Sequence, residues 1–196
     1  MVKRFGAKLP LIVGPSITAL GFLLFAVPGI GGTYWTTYFP AVLVMSLGMA
    51  ITVAPLTTTV MNSVGEDQAG TASGINNAVS RTGGLLAIAV LNIVLVGVFG
   101  RTLGPHLSAL SLPAGVQQAI AGQYIKLAGI EIPRGVSATV QASIQQAIDG
   151  AYITGFRTLM LICAALALVS AVISWVMIGG KAAKRARSAA GAGQHS

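Results

Sequence analysis

The chain has 196 residues, of which 54% are hydrophobic and only 8% are charged, and its mean hydropathy is +0.80. A soluble domain carries about 25% charged residues, so this chain has too few of them to cover a globular surface. Its formal charge of +8 does not indicate nucleic-acid binding, because the basic residues gather towards the two ends of the chain. We therefore expect an all-α integral membrane protein that is surrounded mainly by lipid and has no nucleic-acid partner.

Four apolar segments are long enough to cross a bilayer, which takes about 20 residues in a helix. The first predicted span runs from Leu11 to Ile30, and the second runs from about Phe39 to Met61. The third has an uncharged core from Gly83 to Phe99, and we expect its helix to begin near Ala69 and to project from the membrane. The fourth span has its uncharged core from Thr158 to Ile178.

Four spans place both termini on the same side of the membrane, and the basic residues near both ends favour the cytoplasm for that side. We expect the protein to lie in the cell (plasma or inner) membrane. The predicted organisation is a cytoplasmic basic end at 1–10, three spans at 11–99 with a cytoplasmic elbow near 62–70, an outer loop at 100–150, a last span at 151–179 and a cytoplasmic basic tail at 180–196.

The outer loop is too long to lack structure by default. Two stretches in it carry apolar residues on one helical face, which predicts short amphipathic helices. The first face comprises Val116, Ile120, Tyr124 and Leu127, and the second comprises Val136, Val140, Ile144 and Ile148, with Ser137 as a possible cap. These helices could form a cover or gate over the outer mouth of the protein. Alternatively, they lie at the membrane interface or pack on the ends of the spans.

Small and hydroxyl residues share one face on three of the spans. These faces comprise Gly14, Thr18, Gly21 and Pro28 on the first, Gly48, Thr52, Pro55, Thr59 and Asn62 on the second, and Arg157, Ala164, Ala167, Ala171 and Ser174 on the fourth. Small residues let helices approach closely in lipid, so we interpret most of these positions as packing surfaces. Thr52 and Thr59 are in addition candidates for lining a cavity.

The third span carries a polar line made by Asn77, Arg81 and Asn92, which fall within about 60° of one another at 100° per residue. Polar side chains deep in a span usually face a bundle interior or a water-filled cavity. Arg81 could also snorkel to the cytoplasmic interface or pair with Glu66 or Asp67 in the elbow. Asn92 could also form a hydrogen bond between spans. Cavity lining or gating therefore remains a hypothesis for all three.

The sequence offers little support for an enzyme. Glutamate and aspartate are absent from the four uncharged cores, and His106 and His195 are isolated in the sequence. No cluster of His, Cys, Asp and Glu has the spacing of a metal site, and no phosphate-binding glycine loop with its lysine occurs. We predict no catalytic residues, no metal site and no cofactor.

One stretch resembles the major facilitator superfamily, and in particular a late cytoplasmic loop of its fourteen-span drug:proton antiporter (multidrug efflux) branch. The residues that carry the resemblance are Pro55 with its threonine run, Glu66-Asp67-Gln68-Ala69-Gly70, Ala72-Ser73-Gly74, Asn76-Asn77 and Arg81-Thr82-Gly83-Gly84. The segment Lys3-Arg4-Phe5-Gly6-Ala7-Lys8-Leu9-Pro10 is similar to the end of the basic cytoplasmic loop motif of that superfamily. The glycine-proline motif associated with antiport has no full counterpart in this chain.

The resemblance implies the last four spans of a proton-coupled small-molecule efflux permease, and thus a C-terminal fragment of a longer transporter. Asn77, Arg81, Asn92, Thr52 and Thr59 would then be the cavity-lining or gating candidates. Glu66 and Asp67 would order the elbow, and the proton-carrying carboxylates would belong to the remaining spans. The partners would be membrane lipid, a small-molecule substrate of the full-length parent and the missing spans. The alternative is a non-transporting four-span membrane scaffold or accessory subunit.

Overall fold

The computed structural model describes residues 8–31, 33–61, 65–110, 112–133 and 135–192, and of residues 8, 59–61, 66 and 177–192 it describes the backbone alone. The helices in chain order are α1 (Lys8–Ala26), a π-helical turn (Tyr34–Tyr38), α2 (Phe39–Met61), a 3₁₀ turn (Glu66–Gln68), α3 (Ala69–Ala109), α4 (Ala114–Ala121), a second 3₁₀ turn (Tyr124–Gly129) and α5 (Ala138–Ala192). The described residues include no strand, and four of these helices are long and apolar enough to cross a membrane. The predicted all-α membrane fold is confirmed.

The helix α1 is the central element of the bundle. It packs extensively against both α2 and α5, whereas α3 packs against α5 and touches α2 only slightly. The four long helices therefore follow one another in space in the order α2, α1, α5, α3. We call the end of the bundle that carries residues 27–38 and 100–150 the outer end, and the end that carries residues 65–70 the inner end.

Glycine residues set the distance between α1 and α2. A Cβ atom added to Gly21 would lie 2.7 Å from both Cα and Cβ of Met45, and one added to Gly48 would collide with Thr18. Neither position has room for any side chain, so the two backbones approach one another as closely as the small-residue faces predict. In lipid, which offers no hydrophobic driving force between helices, such close van der Waals contact is a main source of helix association.

The helix α3 is longer than a span requires. Its 41 residues extend for about 60 Å at 1.5 Å per residue, against a hydrocarbon thickness of about 30 Å. It begins at Ala69, and it continues to Ala109, beyond the predicted end of the uncharged core at Phe99. The extension is helical because Phe99, Leu103 and Leu107 recur every fourth residue and are all buried.

Those residues belong to a compact cluster that we call the outer cap, formed by residues 99–151. Its fully buried side chains are Phe99, Leu103, Ile120, Ile144 and Ile148. The first predicted amphipathic stretch forms α4 and the following 3₁₀ turn, and its apolar face packs on this core. The second stretch is not a separate short helix, because α5 runs without interruption from Ala138 into the last span. Its apolar face nevertheless packs in the cap.

Candidate functional site

The structure places Thr52 in the tight α1–α2 contact. Its Oγ1 donates a hydrogen bond to the carbonyl oxygen of Gly48 at 2.7 Å, and a Cβ atom on Gly14 would collide with it. Thr18 does the same on the facing helix, donating to the carbonyl oxygen of Gly14 at 3.0 Å. Both hydroxyls thus satisfy their polarity on their own helix, one turn back. Within this chain Thr52 is a packing residue.

The polar line of α3 lies on an exposed part of that helix. Asn77, Arg81 and Asn92 are all exposed, and every residue from 77 to 90 is exposed as well. In the most apolar segment of α3 only 6% of the residues are buried. In the corresponding segment of α1 the buried fraction is 28%. The inner half of α3 therefore packs against almost nothing among the described residues. No described helix covers its polar line.

The elbow is described only in part. Residues 62–64 lie outside the described residues, as do the side chains of Thr59 and Glu66. Asp67 lies exposed in the 3₁₀ turn, and its Oδ1 would be 2.6 Å from a Cβ atom on Gly65, so the carboxylate folds over that glycine. Among the described side chains, Arg81 forms no ion pair with Asp67. The pairing of Arg81 with Glu66 stays a prediction, because the side chain of Glu66 lies outside the described residues.

The predicted site residues are thus distributed over three places rather than one. Thr52 is on α2 in contact with α1, Asp67 is in the elbow, and the polar line is on the exposed part of α3. The described parts of α2 and α3 touch only slightly. Three pockets described by the structure lie at the outer end, and none of the predicted site residues lines them.

Arg157 joins two helices near the outer end. Its Nη2 donates hydrogen bonds to the carbonyl oxygens of Val27 at 3.2 Å and Pro28 at 3.3 Å, just past the end of α1. Carbonyls at the C-terminus of a helix have no partner in the helix and carry partial negative charge. The guanidinium gives these carbonyls a hydrogen-bond donor and a positive charge. It thereby links the last span to the first.

The loop after α4 is closed by one side chain. The Nε2 of Gln123 donates to the carbonyl oxygens of Ala119 at 3.0 Å and Glu131 at 3.2 Å. Its Oε1 accepts from the ammonium of Lys126 at 3.1 Å and from the backbone N–H of Glu131 at 3.2 Å. Lys126 also lies 3.6 Å from the Glu131 carboxylate. Gln123 therefore holds a loop in which Leu127 adopts a left-handed φ of +52°.

Two of the pockets flank the start of the last span. We call the first the outer pocket; it has a volume of about 380 Å³ and is lined by the 28–31 segment together with Tyr38, Asp149, Tyr152 and Phe156. The second has a volume of about 650 Å³ and lies between the outer parts of α3 and α5, next to His106 and Thr154. The Nδ1 of His106 lies 2.7 Å from the carbonyl oxygen of Thr102, so this nitrogen carries the hydrogen and donates it.

Arg157, Gln123 and the outer pocket were not predicted from the sequence as features of a site. The spacing of Asp149, Tyr152 and Phe156 could have indicated one face of a helix with a carboxylate beside two rings. The contact of Arg157 with Val27, by contrast, joins residues 130 positions apart, and no local pattern predicts it.

Residues 1–88 match the family model described as Major Facilitator Superfamily. Over 131 residues the chain is 30% identical to "Multidrug resistance protein Stp" of Mycobacterium tuberculosis, covering 64% of this chain and 23% of that protein. These findings support a relation to the Major Facilitator Superfamily. Over 180 residues the chain is also 26% identical to "Tetracenomycin C resistance and export protein" of Streptomyces glaucescens, covering 89% of this chain and 32% of that protein.

The chain therefore spans about a quarter to a third of the length of the curated relatives that it matches. No solved structure matches it significantly. The relatives and the apolar helices together support a multi-pass membrane protein of a transporter family, which is not a family of enzymes.

Proposed function

We propose that this chain forms the last four spans of a proton-coupled multidrug efflux permease, of the fourteen-span branch of the superfamily. In this proposal both termini are cytoplasmic in the plasma or inner membrane, and export takes place in the longer protein. Two observations agree with it. The relatives are a multidrug resistance protein and an antibiotic resistance and export protein, and both are several times longer than the matched segment.

The main structural support for this proposal is the exposure of the inner half of α3. Leu85, Leu86 and Ile88 are 71%, 62% and 68% exposed, as on a helix in lipid, yet Asn77 and Arg81 share the same stretch. An arginine that faces only hydrocarbon is costly, by about 3 kcal/mol or more near the bilayer centre. A further set of spans against this face would provide a polar wall for Arg81 and Asn92. The cavity of the transporter would then form between α3 and that wall.

In this arrangement Arg81 and the two asparagines contact substrate or gate its path. Thr52 and Thr59 contribute through α2, and Glu66 and Asp67 order the elbow beside α3. Small, apolar or cationic molecules would be exported by alternating access. The carboxylates that carry protons would come from the remaining spans, because the uncharged cores of this chain contain none.

The first test compares cells that express this chain alone with cells that express it in frame with the spans encoded upstream. We expect energy-dependent export of ethidium only in the second case, abolished by a protonophore. Arg81→Ala in the longer protein should reduce export by at least about tenfold, as expected for loss of a charged contact of about 1.4 kcal/mol. Arg101→Ala serves as the matched control, because Arg101 lies exposed on the same helix at the outer end.

Two results would overturn this proposal. Export by the chain alone would show that four spans suffice, and equal activity of the Arg81 and Arg101 variants would remove the role of the polar line. The same exposed face of α3 would also suit a scaffold that binds another membrane protein. That alternative predicts stable co-purification with a separate membrane protein and no export in either case.

A further inference from the structure

The helix α5 continues well beyond the membrane at the inner end. Arg157 lies level with the outer end of α1, because its guanidinium contacts the carbonyls of Val27 and Pro28. Trp175 lies about 27 Å further along α5, which nearly equals the length of α1 and the hydrocarbon thickness of about 30 Å. It is 60% exposed, as suits a residue at a membrane interface. The backbone nevertheless remains helical to Ala192.

Residues 181–190 of this helix, which we call the basic extension, have two different faces. At 100° per residue the polar positions fall within about 160° of the circumference. They are Lys181, Lys184, Arg185, Arg187 and Ser188. The opposite side consists of alanine, at Ala182, Ala183, Ala186, Ala189 and Ala190. A cluster of lysine and arginine directly after a span is typical of segments that bind anionic lipid headgroups.

The chain has too few acidic residues at the inner end to neutralise this charge. It contains four in all, and none follows Asp149. Glu131 and Asp149 belong to the outer end, so that only Glu66 and Asp67 of the elbow lie at the inner end. Even if both elbow carboxylates paired with the basic extension, two of its four cations would be left without a counter-charge. The partner of this face must therefore supply negative charge from outside the chain.

Two adjacent glycines, Gly179 and Gly180, separate the basic extension from the span. Along a straight helix Lys181 would lie about 9 Å and Arg187 about 18 Å beyond Trp175, whereas the headgroups occupy about 5–8 Å on each side of the hydrocarbon. A straight helix would thus carry Arg187 past the headgroups by more than a Debye length of about 8 Å. Glycine is unfavourable in a helix interior, and a glycine pair is a common place for a bend.

We propose that the basic extension binds anionic phospholipid in the leaflet at the inner end. The helix bends at the glycine pair and lays its basic face on the headgroup phosphates, which accept charge-assisted hydrogen bonds from lysine and arginine. The span holds the extension close to the membrane surface, so headgroup phosphates reach it at a much higher effective concentration than free anions do. This interaction goes beyond the proposed function, because it needs neither transport nor further spans.

The test uses the full chain in nanodiscs of phosphatidylcholine alone or of phosphatidylcholine mixed with phosphatidylglycerol. Hydrogen exchange followed by mass spectrometry measures the protection of amides 181–190. We expect exchange at least about tenfold slower in the anionic nanodiscs, because bound headgroups stabilise the helix. In molar salt, where the Debye length is about 3 Å, the difference should disappear. Equal exchange in the two kinds of nanodisc, or a difference that persists in molar salt, overturns the proposal.

Variants then test the charge and the face. Lys184→Gln combined with Arg185→Gln should bring exchange in anionic nanodiscs to within about threefold of the rate in neutral ones. The matched control, Lys184→Arg combined with Arg185→Lys, keeps both charges and should keep the full protection. A loss in the control equal to that in the glutamine variant contradicts the electrostatic basis.

A rearranged variant tests the face at constant net charge. Ala183→Lys, Lys184→Ala, Arg185→Ala and Ala186→Arg together keep the composition but distribute the charges around the helix. We expect this variant to lose most of the protection, and protection equal to that of the wild type contradicts the role of the basic face. Because its net charge is unchanged, its insertion into the membrane is expected to be unchanged as well.

A last arm identifies the source of the negative charge. Inorganic phosphate or a single-stranded RNA, added to the wild type in neutral nanodiscs, should give no protection of amides 181–190. Protection equal to that in anionic nanodiscs would overturn the assignment to lipid. These outcomes are independent of the export assays, since the extension can bind lipid in a chain that never transports.

Discussion

The close contact between α1 and α2 allows a sharp test of the packing. Replacing Gly21 with alanine would put a Cβ atom 2.7 Å from Cα, Cβ and N of Met45, about 0.7 Å short of the 3.4 Å at which ordinary contact begins. Because two of those atoms are backbone, no rotation of a flexible side chain relieves the overlap. The helices must separate locally, and we expect a loss of about 1–3 kcal/mol, typical of overpacking.

The matched control is Gly97→Ala on α3, where no atom lies within 4 Å of the added Cβ. Alanine is favoured over glycine in a helix by up to about 1 kcal/mol, so this variant should be neutral or slightly more stable. Unfolding of each purified variant by titration with sodium dodecyl sulfate, followed by circular dichroism, gives the free-energy difference. If Gly21→Ala is as stable as Gly97→Ala, the close approach of α1 and α2 is refuted.

Three further predictions concern the outer end. Arg157→Met should lower the stability by about 1 kcal/mol and speed hydrogen exchange in the segment after Val27, with Arg157→Lys intermediate, since lysine keeps the charge but not the planar donor geometry. Exchange there at the wild-type rate would contradict the capping role. Gln123→Ala removes four hydrogen bonds and should cost about 1–2 kcal/mol, seen as faster exchange up to Glu131 while α1 is unaffected. An unchanged loop would mean that backbone bonds alone close it. Phe99→Ala, at a fully buried position, should cost about 3–5 kcal/mol in the same unfolding titration, and a loss below 1 kcal/mol would contradict a packed cap.

The existence of the spans could be predicted from the sequence because lipid imposes a length and a composition on each one. The outer limits of these helices could not, since α3 and α5 extend into the outer cap, where tertiary packing supports them. The face made by Ile144 and Ile148 was visible as a helical pattern, but it did not show that the helix joins the last span. No proline lies between Ser137 and Thr158, so nothing interrupts the helix.

The small-residue faces identified packing surfaces, yet they did not show which helices meet. Gly14 packs against Thr52 and Gly48 packs against Thr18, each on the opposite helix. These pairs depend on the relative position of the two spans. The polar line on α3 is similar: its residues follow from the sequence, but its exposure follows from the order of the helices. The roles of Asn77, Arg81 and Asn92 remain predictions that the export assays address.

The spatial order α2, α1, α5, α3 has a consequence for synthesis of the protein. As the chain leaves the ribosome, α1 and α2 can pair as soon as both have entered the membrane, but α5, the second neighbour of α1, is made only after α3 and α4. That same helix supplies the main support of α3. Insertion of α5 therefore completes two interfaces in one step, and until then α3 has only slight contacts with α2 and those with α4 and the second 3₁₀ turn. A ribosome paused before residue 138 would leave a long apolar helix open to capture by membrane chaperones or proteases.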